Sequence, residues 1–129
     1  MGEIIKKTVE EIVRDVRFYL SFHKGKDNLI SRWELVEKIF GRQAAANRSN
    51  NNPYDRKIRD VIAEYRDVDL ICSSSGAAGY WLAADMNDIE EIASEYDKRA
   101  KDMLTKASHL RKRGSEKFGP QMPLFSKPN

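Results

Sequence analysis

Basic side chains recur at helical spacing near the middle of the chain. Residues 54–66 have apolar residues on one face of a predicted helix and basic residues on the other. These basic residues are Arg56, Lys57, Arg59 and Arg66. Because guanidinium and ammonium groups bind phosphate, and arginine also pairs with guanine edges, this face predicts contact with double-stranded DNA. The alternative is a solvated surface helix whose basic residues pair with Asp55, Asp60 and Glu64.

Polar residues lie on both sides of this basic helix. Asn51 and Asn52 come just before it and offer amide donors and acceptors at its entrance. Ser74 and Ser75 lie in a Ser/Gly turn after it and offer hydroxyl and backbone N–H groups. We therefore expect these four residues to add DNA contacts, with the serines contacting phosphate weakly.

Side chains capable of catalysis are scattered along the chain. His23 lies in a turn and His109 near a basic helix end, far from each other in sequence. Cys72 belongs to a predicted strand, where burial is the expected state, and Ser73 has no base nearby in the sequence. No metal-ligand spacing or phosphate-loop spacing occurs. The sequence therefore predicts that the protein is not an enzyme and uses no cofactor or metal.

A short apolar motif, Gln121-Met122-Pro123-Leu124-Phe125, follows a basic run and a Gly-Pro break. No helix or strand pattern surrounds it, so a polar residue and two spaced hydrophobic residues stand alone, as in peptides that dock into a pocket. The motif resembles the pentapeptide by which bacterial proteins bind the replicative sliding clamp. That resemblance implies that Gln121, Leu124 and Phe125 contact the clamp. The alternative is an apolar tail that folds back on the domain.

Composition and charge limit the classes of protein that fit. A chain of 129 residues has room for one domain and an extension, and its single cysteine excludes an internal disulfide. No apolar run approaches the length of a membrane span, and no signal-peptide pattern occurs, so we expect no membrane partner and a cytoplasmic location. The resemblance of Gln121–Phe125 to clamp-binding peptides implies that this cytoplasm is that of a bacterial host cell. The net charge of +3 is unevenly distributed, because residues 32–66 hold eight basic and five acidic side chains.

Several predicted elements position the basic helix. Residues 4–22 carry an apolar stripe at helical spacing. Ser31 is a strong helix cap with Glu34 three residues on, and Gly41 should end that second helix. Residues 42–52 form a loop with one helical turn, after which Asn52 and Pro53 open the third helix. The runs 70–72 and 80–83 read as a β-hairpin around the Ser/Gly turn.

This order of elements resembles a winged helix-turn-helix domain, which is a mainly α (α+β) fold. The resemblance covers residues 4–83 and is strongest in Ile30–Leu35, Asp55–Arg59 and Gly79–Leu82. This segment is similar to the amino-terminal domain of biotin-operon repressors and to small winged-helix proteins of bacteriophages and prophages. The resemblance implies a third helix in the DNA major groove and a hairpin, the wing, on the flanking backbone.

The function implied is that of a phage regulator or accessory factor in viral DNA replication or transcription. The tail favours the accessory factor, because a clamp contact would tether the protein to replicating DNA or deny the clamp to host polymerases. The alternative is a scaffold that uses the winged helix and the tail to bind host proteins without binding DNA.

A long helix is expected from residue 87 to residue 113, where Gly114 should close it. The resulting division is a winged domain over 1–85, a long helix over 86–113 and a tail over 114–129. Large apolar residues recur every seven positions in the helix, at Ile89, Tyr96, Met103 and Leu110. Its first half is acidic and its second half basic, so the sequence predicts an antiparallel homodimer. The alternative is that this seam packs onto residues 4–22 of its own chain.

Overall fold

The structure is a computed structural model, and it describes residues 5–73 and 79–119. The chain divides into two units, the first reaching Ile92 and the second beginning at Ala93. The helices are α1 (Val9–Leu20), α2 (Arg32–Phe40), α3 (Pro53–Asp69) and α4 (Met86–Phe118), the strands are β1 (Ile30–Ser31), β2 (Ile71–Cys72) and β3 (Gly79–Leu82), and short 3-10 turns cover Lys26–Asn28 and Arg42–Ala45. The described chain is therefore mainly helical, with a small antiparallel sheet and a long carboxy-terminal helix.

Helix α1 begins later than the apolar stripe suggested. Thr8 caps it by a reciprocal arrangement, in which the Glu11 N–H donates to Thr8 Oγ1 and the Thr8 N–H donates to the Glu11 carboxylate. Hydrogen bonding by the Thr8 backbone and side chain lowers the pKa of the Glu11 carboxyl. The predicted helix over 4–22 is thus too long at both ends, because this cap fixes the start and the helix ends at Leu20. Residue 4 lies outside the described residues.

The start and end predicted for α2 are confirmed. Ser31 Oγ accepts the Glu34 backbone N–H at 3.1 Å, and Gly41 follows the last helical residue. A 3-10 turn then accounts for the helical turn predicted between residues 42 and 52. Asn52 and Pro53 open α3 as expected, and α3 continues through Asp69.

The core of the first unit lies between α1, α2 and α3. Each helix contributes one apolar face, and the buried residues of these faces are Ile12, Val13, Val16, Leu20, Leu35, Val36, Ile39, Ile58, Val61 and Ile62. Burying these faces together is what fixes the orientation of α3, because its opposite side must then face solvent. Tyr80 of β3 closes the same core.

The predicted hairpin is confirmed in the pairing of β2 with β3, where Cys72 lies opposite Trp81. A third strand was missed, because β1 pairs with the other edge of β3 through Ile30 opposite Tyr80. Gly79 makes this close approach possible, since a Cβ at that position would lie 2.1 Å from the Ile30 carbonyl oxygen. The sheet therefore ties the hairpin to the start of α2.

Helix α4 is longer than predicted. Gly114 does not end it, and the helix continues to Phe118. Gly119 follows with φ 86°, and its N–H donates to the Ser115 carbonyl at 2.9 Å, which is the usual way a glycine ends a helix. The helix end predicted at residue 113 is therefore wrong, because a single glycine costs a helix only about 1 kcal/mol.

Candidate nucleic-acid interface

Asn52 forms the entrance to α3. Its side-chain oxygen accepts the backbone N–H groups of Tyr54 and Asp55 at 2.8 and 3.1 Å. Its Nδ2 donates to the carbonyl oxygens of Ala44 and Asn47, each at 2.7 Å. The side chain is buried and fully occupied by the protein itself, so the expectation that Asn52 offers its amide to DNA is corrected: it is a structural cap.

Asp55 lies one turn into α3 and holds two arginines. It is 1% exposed, and Arg32 donates to its two oxygens from Nε at 2.8 Å and from Nη2 at 2.7 Å. Arg59 donates to the same carboxylate from Nε at 2.9 Å. A buried carboxylate requires such partners, because an unpaired charge in the interior is costly. The group as a whole carries one more positive charge than negative.

The same group reaches the loop before α3. Arg32 Nη2 donates to Asn50 Oδ1 at 2.8 Å, and Arg59 Nη2 donates to the Asn50 carbonyl oxygen at 2.9 Å. The Arg32 guanidinium also lies 4.6 Å from the centre of the Trp33 ring, and its hydrogen bonds to Asp55 raise its pKa. The start of α2, this loop and the first turns of α3 are therefore held in one arrangement.

Arg59 differs from the sequence expectation. It was expected to point away from the core beside Arg56, whereas its guanidinium pairs with Asp55 and remains 41% exposed. The alternative interpretation, in which the helix pairs its own charges at a spacing of four residues, is correct for this arginine. Arg59 therefore supplies a fixed positive charge at the rim of the surface.

Arg56 and Lys57 are exposed on α3. In residues 5–73 and 79–119 no hydrogen bond or ion pair engages either side chain. Asn51 and Arg48 are also exposed in the preceding loop, where the Asn51 backbone N–H donates to Ser49 Oγ at 3.3 Å. The structure thus brings Asn51, Arg56 and Lys57 to the entrance of α3 with their side chains facing solvent.

The second half of α3 has a different charge. Arg66 Nη2 donates to Ser73 Oγ at 2.9 Å, which links α3 to the residue after β2. From residue 60 onward, the exposed charged residues of α3 are Asp60, Glu64 and Asp67. Positive charge is therefore concentrated at the amino-terminal end of α3 and does not extend along the helix as the sequence suggested. Ser74 and Ser75 lie outside the described residues.

One partner in this surface had a signal in the sequence, and another had none. Pairing of Asp55 with nearby arginines was the alternative interpretation of the sequence, and its spacing of four residues from Arg59 was a usable signal. Arg32 carried no local signal, because it is 23 positions before Asp55 and only the tertiary fold brings them together. Burial and the negative charge of Asp55 raise the pKa of Tyr80, which keeps this phenol neutral beside the group.

The remaining predicted residues fall outside this surface. Ile89 is half-buried, whereas Tyr96, Met103 and Leu110 are exposed on α4. Gln121, Leu124 and Phe125 lie outside the described residues. Cys72 is buried, and that burial raises the pKa of its thiol. Across 5–73 and 79–119, no group of three or more His, Cys, Asp or Glu side chains is placed to hold a metal ion.

No helix in the described ranges combines the length and the apolar character that crossing a membrane requires. No protein-family model matches the chain, and no curated protein or solved structure shows significant similarity to it.

Proposed function

We propose that the first unit is a winged helix-turn-helix domain that binds double-stranded DNA through the amino-terminal end of α3. The proposal rests on one observation: Arg56 and Lys57 are exposed and unpaired in the described chain, beside two arginines fixed by Asp55. Side chains near the start of a recognition helix are the ones that reach base edges and adjacent phosphates. A fixed arginine loses little conformational entropy when it meets a phosphate.

The arrangement of elements supports the winged-helix assignment. Helices α2 and α3 pack together through apolar faces, and an antiparallel hairpin, β2–β3, follows α3 directly. Strand β1 then anchors β3 beside the start of α2, so the hairpin is held near the helices that would cross the DNA. In such a domain α3 enters the major groove and the hairpin contacts the flanking backbone.

Salt dependence of DNA binding tests this proposal. We expect the Arg56→Ala/Lys57→Ala variant to bind a random duplex more weakly, and the slope of log K against log salt to fall by about 2, because two phosphate contacts are lost. Binding is measured between about 50 and about 200 mM salt, the range over which such contacts lose most affinity.

A matched control removes two positive charges elsewhere. Lys98 and Lys101 are exposed on α4, so Lys98→Ala/Lys101→Ala changes the net charge equally without touching α3. This control should retain the slope of the unmodified protein. An equal loss in both variants, or no binding at the lower salt concentration, would refute a DNA interface on α3.

We further propose that the protein is a phage or prophage accessory factor or regulator that also binds the bacterial sliding clamp through Gln121, Leu124 and Phe125. Support comes from the sequence of the motif alone. When one of two weak contacts on a chain is bound, the effective concentration of the other binding site is raised. Replacing Leu124 and Phe125 by alanine should abolish capture of the clamp and leave folding unchanged, as judged by circular dichroism; retained capture would exclude the motif.

A scaffold that binds host proteins remains the second candidate, and one observation favours it. From residue 60 onward, the exposed charged residues of α3 are acidic. They would repel the DNA phosphates if α3 lay in the groove along its whole length. A pull-down from bacterial lysate with and without nuclease separates the two functions. Proteins that are still captured after nuclease treatment, and that the Arg56→Ala/Lys57→Ala variant also captures, would identify a scaffold.

A further inference from the structure

The second unit has large apolar side chains that face solvent. Met103, Leu110 and Phe118 are 69%, 73% and 81% exposed, and the Tyr96 ring is also exposed. A helix with an apolar stripe usually owes its stability to the surface that covers the stripe, since propensity alone is weak. The exposed stripe on α4 is therefore a surface that a partner would stabilise.

The length of α4 extends this stripe beyond the one visible in the sequence. Tyr96, Met103 and Leu110 recur every seven residues. Small residues recur at the same interval between them, at Ala93, Ala100 and Ala107. Because the helix continues to Phe118, Gly114 is the fourth member of this series. Alternating steps of three and four residues place both series on one face, where the small residues allow a second helix to approach closely.

Charge along α4 indicates which helix fits this face. Residues 85–97 hold six acidic and no basic side chains, whereas residues 98–113 hold seven basic and one acidic. An antiparallel copy of α4 would place each acidic segment over a basic one, while a parallel copy would place like charges together. We propose that α4 pairs with α4 of a second copy of this chain in an antiparallel two-fold dimer, with Tyr96 opposite Met103 and Ile89 opposite Leu110.

The position of Lys106 at the edge of the stripe agrees with this pairing. Arg99 lies over the Tyr96 ring with its Cζ 4.7 Å from the ring centre, so its aliphatic part borders the apolar face. Lys106 lies one heptad later on the same edge. With Tyr96 opposite Met103, Lys106 lies opposite position 93, within the acidic half of the partner, whereas a parallel pair would set Lys106 against Lys106.

Sedimentation velocity without DNA tests the dimer independently of the proposed function. We expect the unmodified protein to be dimeric at concentrations on the order of tens of micromolar, and Leu110→Glu to be monomeric, because the charge would be buried without a partner. Val68 provides a matched control: it is 74% exposed on α3, so Val68→Glu should remain dimeric. A monomeric unmodified protein, or equal loss of dimer in both variants, would overturn the proposal.

Disulfide formation tests the orientation. In a Cys72→Ala background, Tyr96→Cys and Met103→Cys are each prepared alone and then mixed before oxidation. An antiparallel pair brings position 96 of one copy next to position 103 of the other, so only the mixture should form a disulfide-linked dimer. Within one variant the cysteines would be separated by about 10 Å along the helix axis. Rapid crosslinking of either variant alone would indicate a parallel pair and overturn the proposal.

Discussion

Helices α3 and α4 carry the same kind of apolar stripe and use it differently. On α3 the stripe is covered, because Ile58, Val61 and Ile62 pack into the core with α1 and α2. On α4 no residue of the helix is buried, although it is almost twice as long. Apolar periodicity therefore specifies that a helix has a face to cover, and only the rest of the fold shows whether the same chain covers it.

Their charged residues differ in the same way. The principal ion pairs of α3 join distant parts of the chain, since Arg32 and Asp55 are 23 positions apart. On α4, Glu91 pairs with the distant Lys26 and Arg113 pairs with Glu116, and all four of these side chains are more than 40% exposed. Exposed ion pairs contribute little to stability, whereas a buried carboxylate shared by two arginines fixes the position of each. The charges around Asp55 on α3 therefore form a fixed surface, whereas the ion pairs of α4 are exposed to solvent.

The largest expected loss of stability comes from a substitution in the apolar face of α3. Ile62→Ala should lower the free energy of unfolding of the first unit by about 3–4 kcal/mol, because a fully buried side chain is lost and a cavity remains. Leu110→Ala on α4 removes a side chain that is already exposed, so its change should stay within about 0.5 kcal/mol when the protein is dilute enough to be monomeric. Urea denaturation at equilibrium measures both. Similar losses for the two variants would show that the stripe of α4 is covered within one chain.

The next effect concerns the charges of α3. Asp55→Ala should cost about 3 kcal/mol, because two arginines lose their buried partner while their partial exposure lets them turn toward solvent. Asp60→Ala, which removes an exposed carboxylate from the same helix, should change stability by less than about 0.5 kcal/mol. Urea titrations of the two variants provide the comparison. If Asp55→Ala were as mild as Asp60→Ala, the group around Asp55 would not organise this surface.

Local sequence signals predicted the elements and missed the contacts between them. The Ser31 cap, the Asn52–Pro53 start of α3 and the hairpin all depend on neighbouring residues, and each was read correctly. Strand β1 was missed, because two residues leave no periodic pattern and Ile30 pairs with Tyr80 fifty positions later. The end of α4 was misplaced because glycine often ends a helix, whereas Gly114 lies within the helix and Gly119 has the positive φ.

The candidate surface shows the same limit more sharply. The sequence correctly identified Arg56 and Lys57 as exposed basic residues of α3, because helical spacing is enough to place them opposite the apolar face. It could not show that Arg59 turns toward Asp55 or that Arg32 comes from α2 to join them. Rotamer choice among charged side chains depends on three-dimensional neighbours, and sequence spacing does not contain that information.

The smallest of these effects separates two adjacent asparagines that the sequence treated alike. Asn52→Ala should cost about 2 kcal/mol, because α3 loses its cap and two carbonyl oxygens of the preceding loop lose their donor. Asn51→Ala removes an exposed side chain and should change the unfolding free energy by less than about 0.5 kcal/mol. If Asn51 contacts DNA, Asn51→Ala should bind duplex DNA more weakly while its stability is unchanged. Urea denaturation and DNA binding, measured on both variants, would then show that Asn52 has a structural role and Asn51 a role in recognition. A stability loss at position 51 equal to that at position 52 would contradict this division.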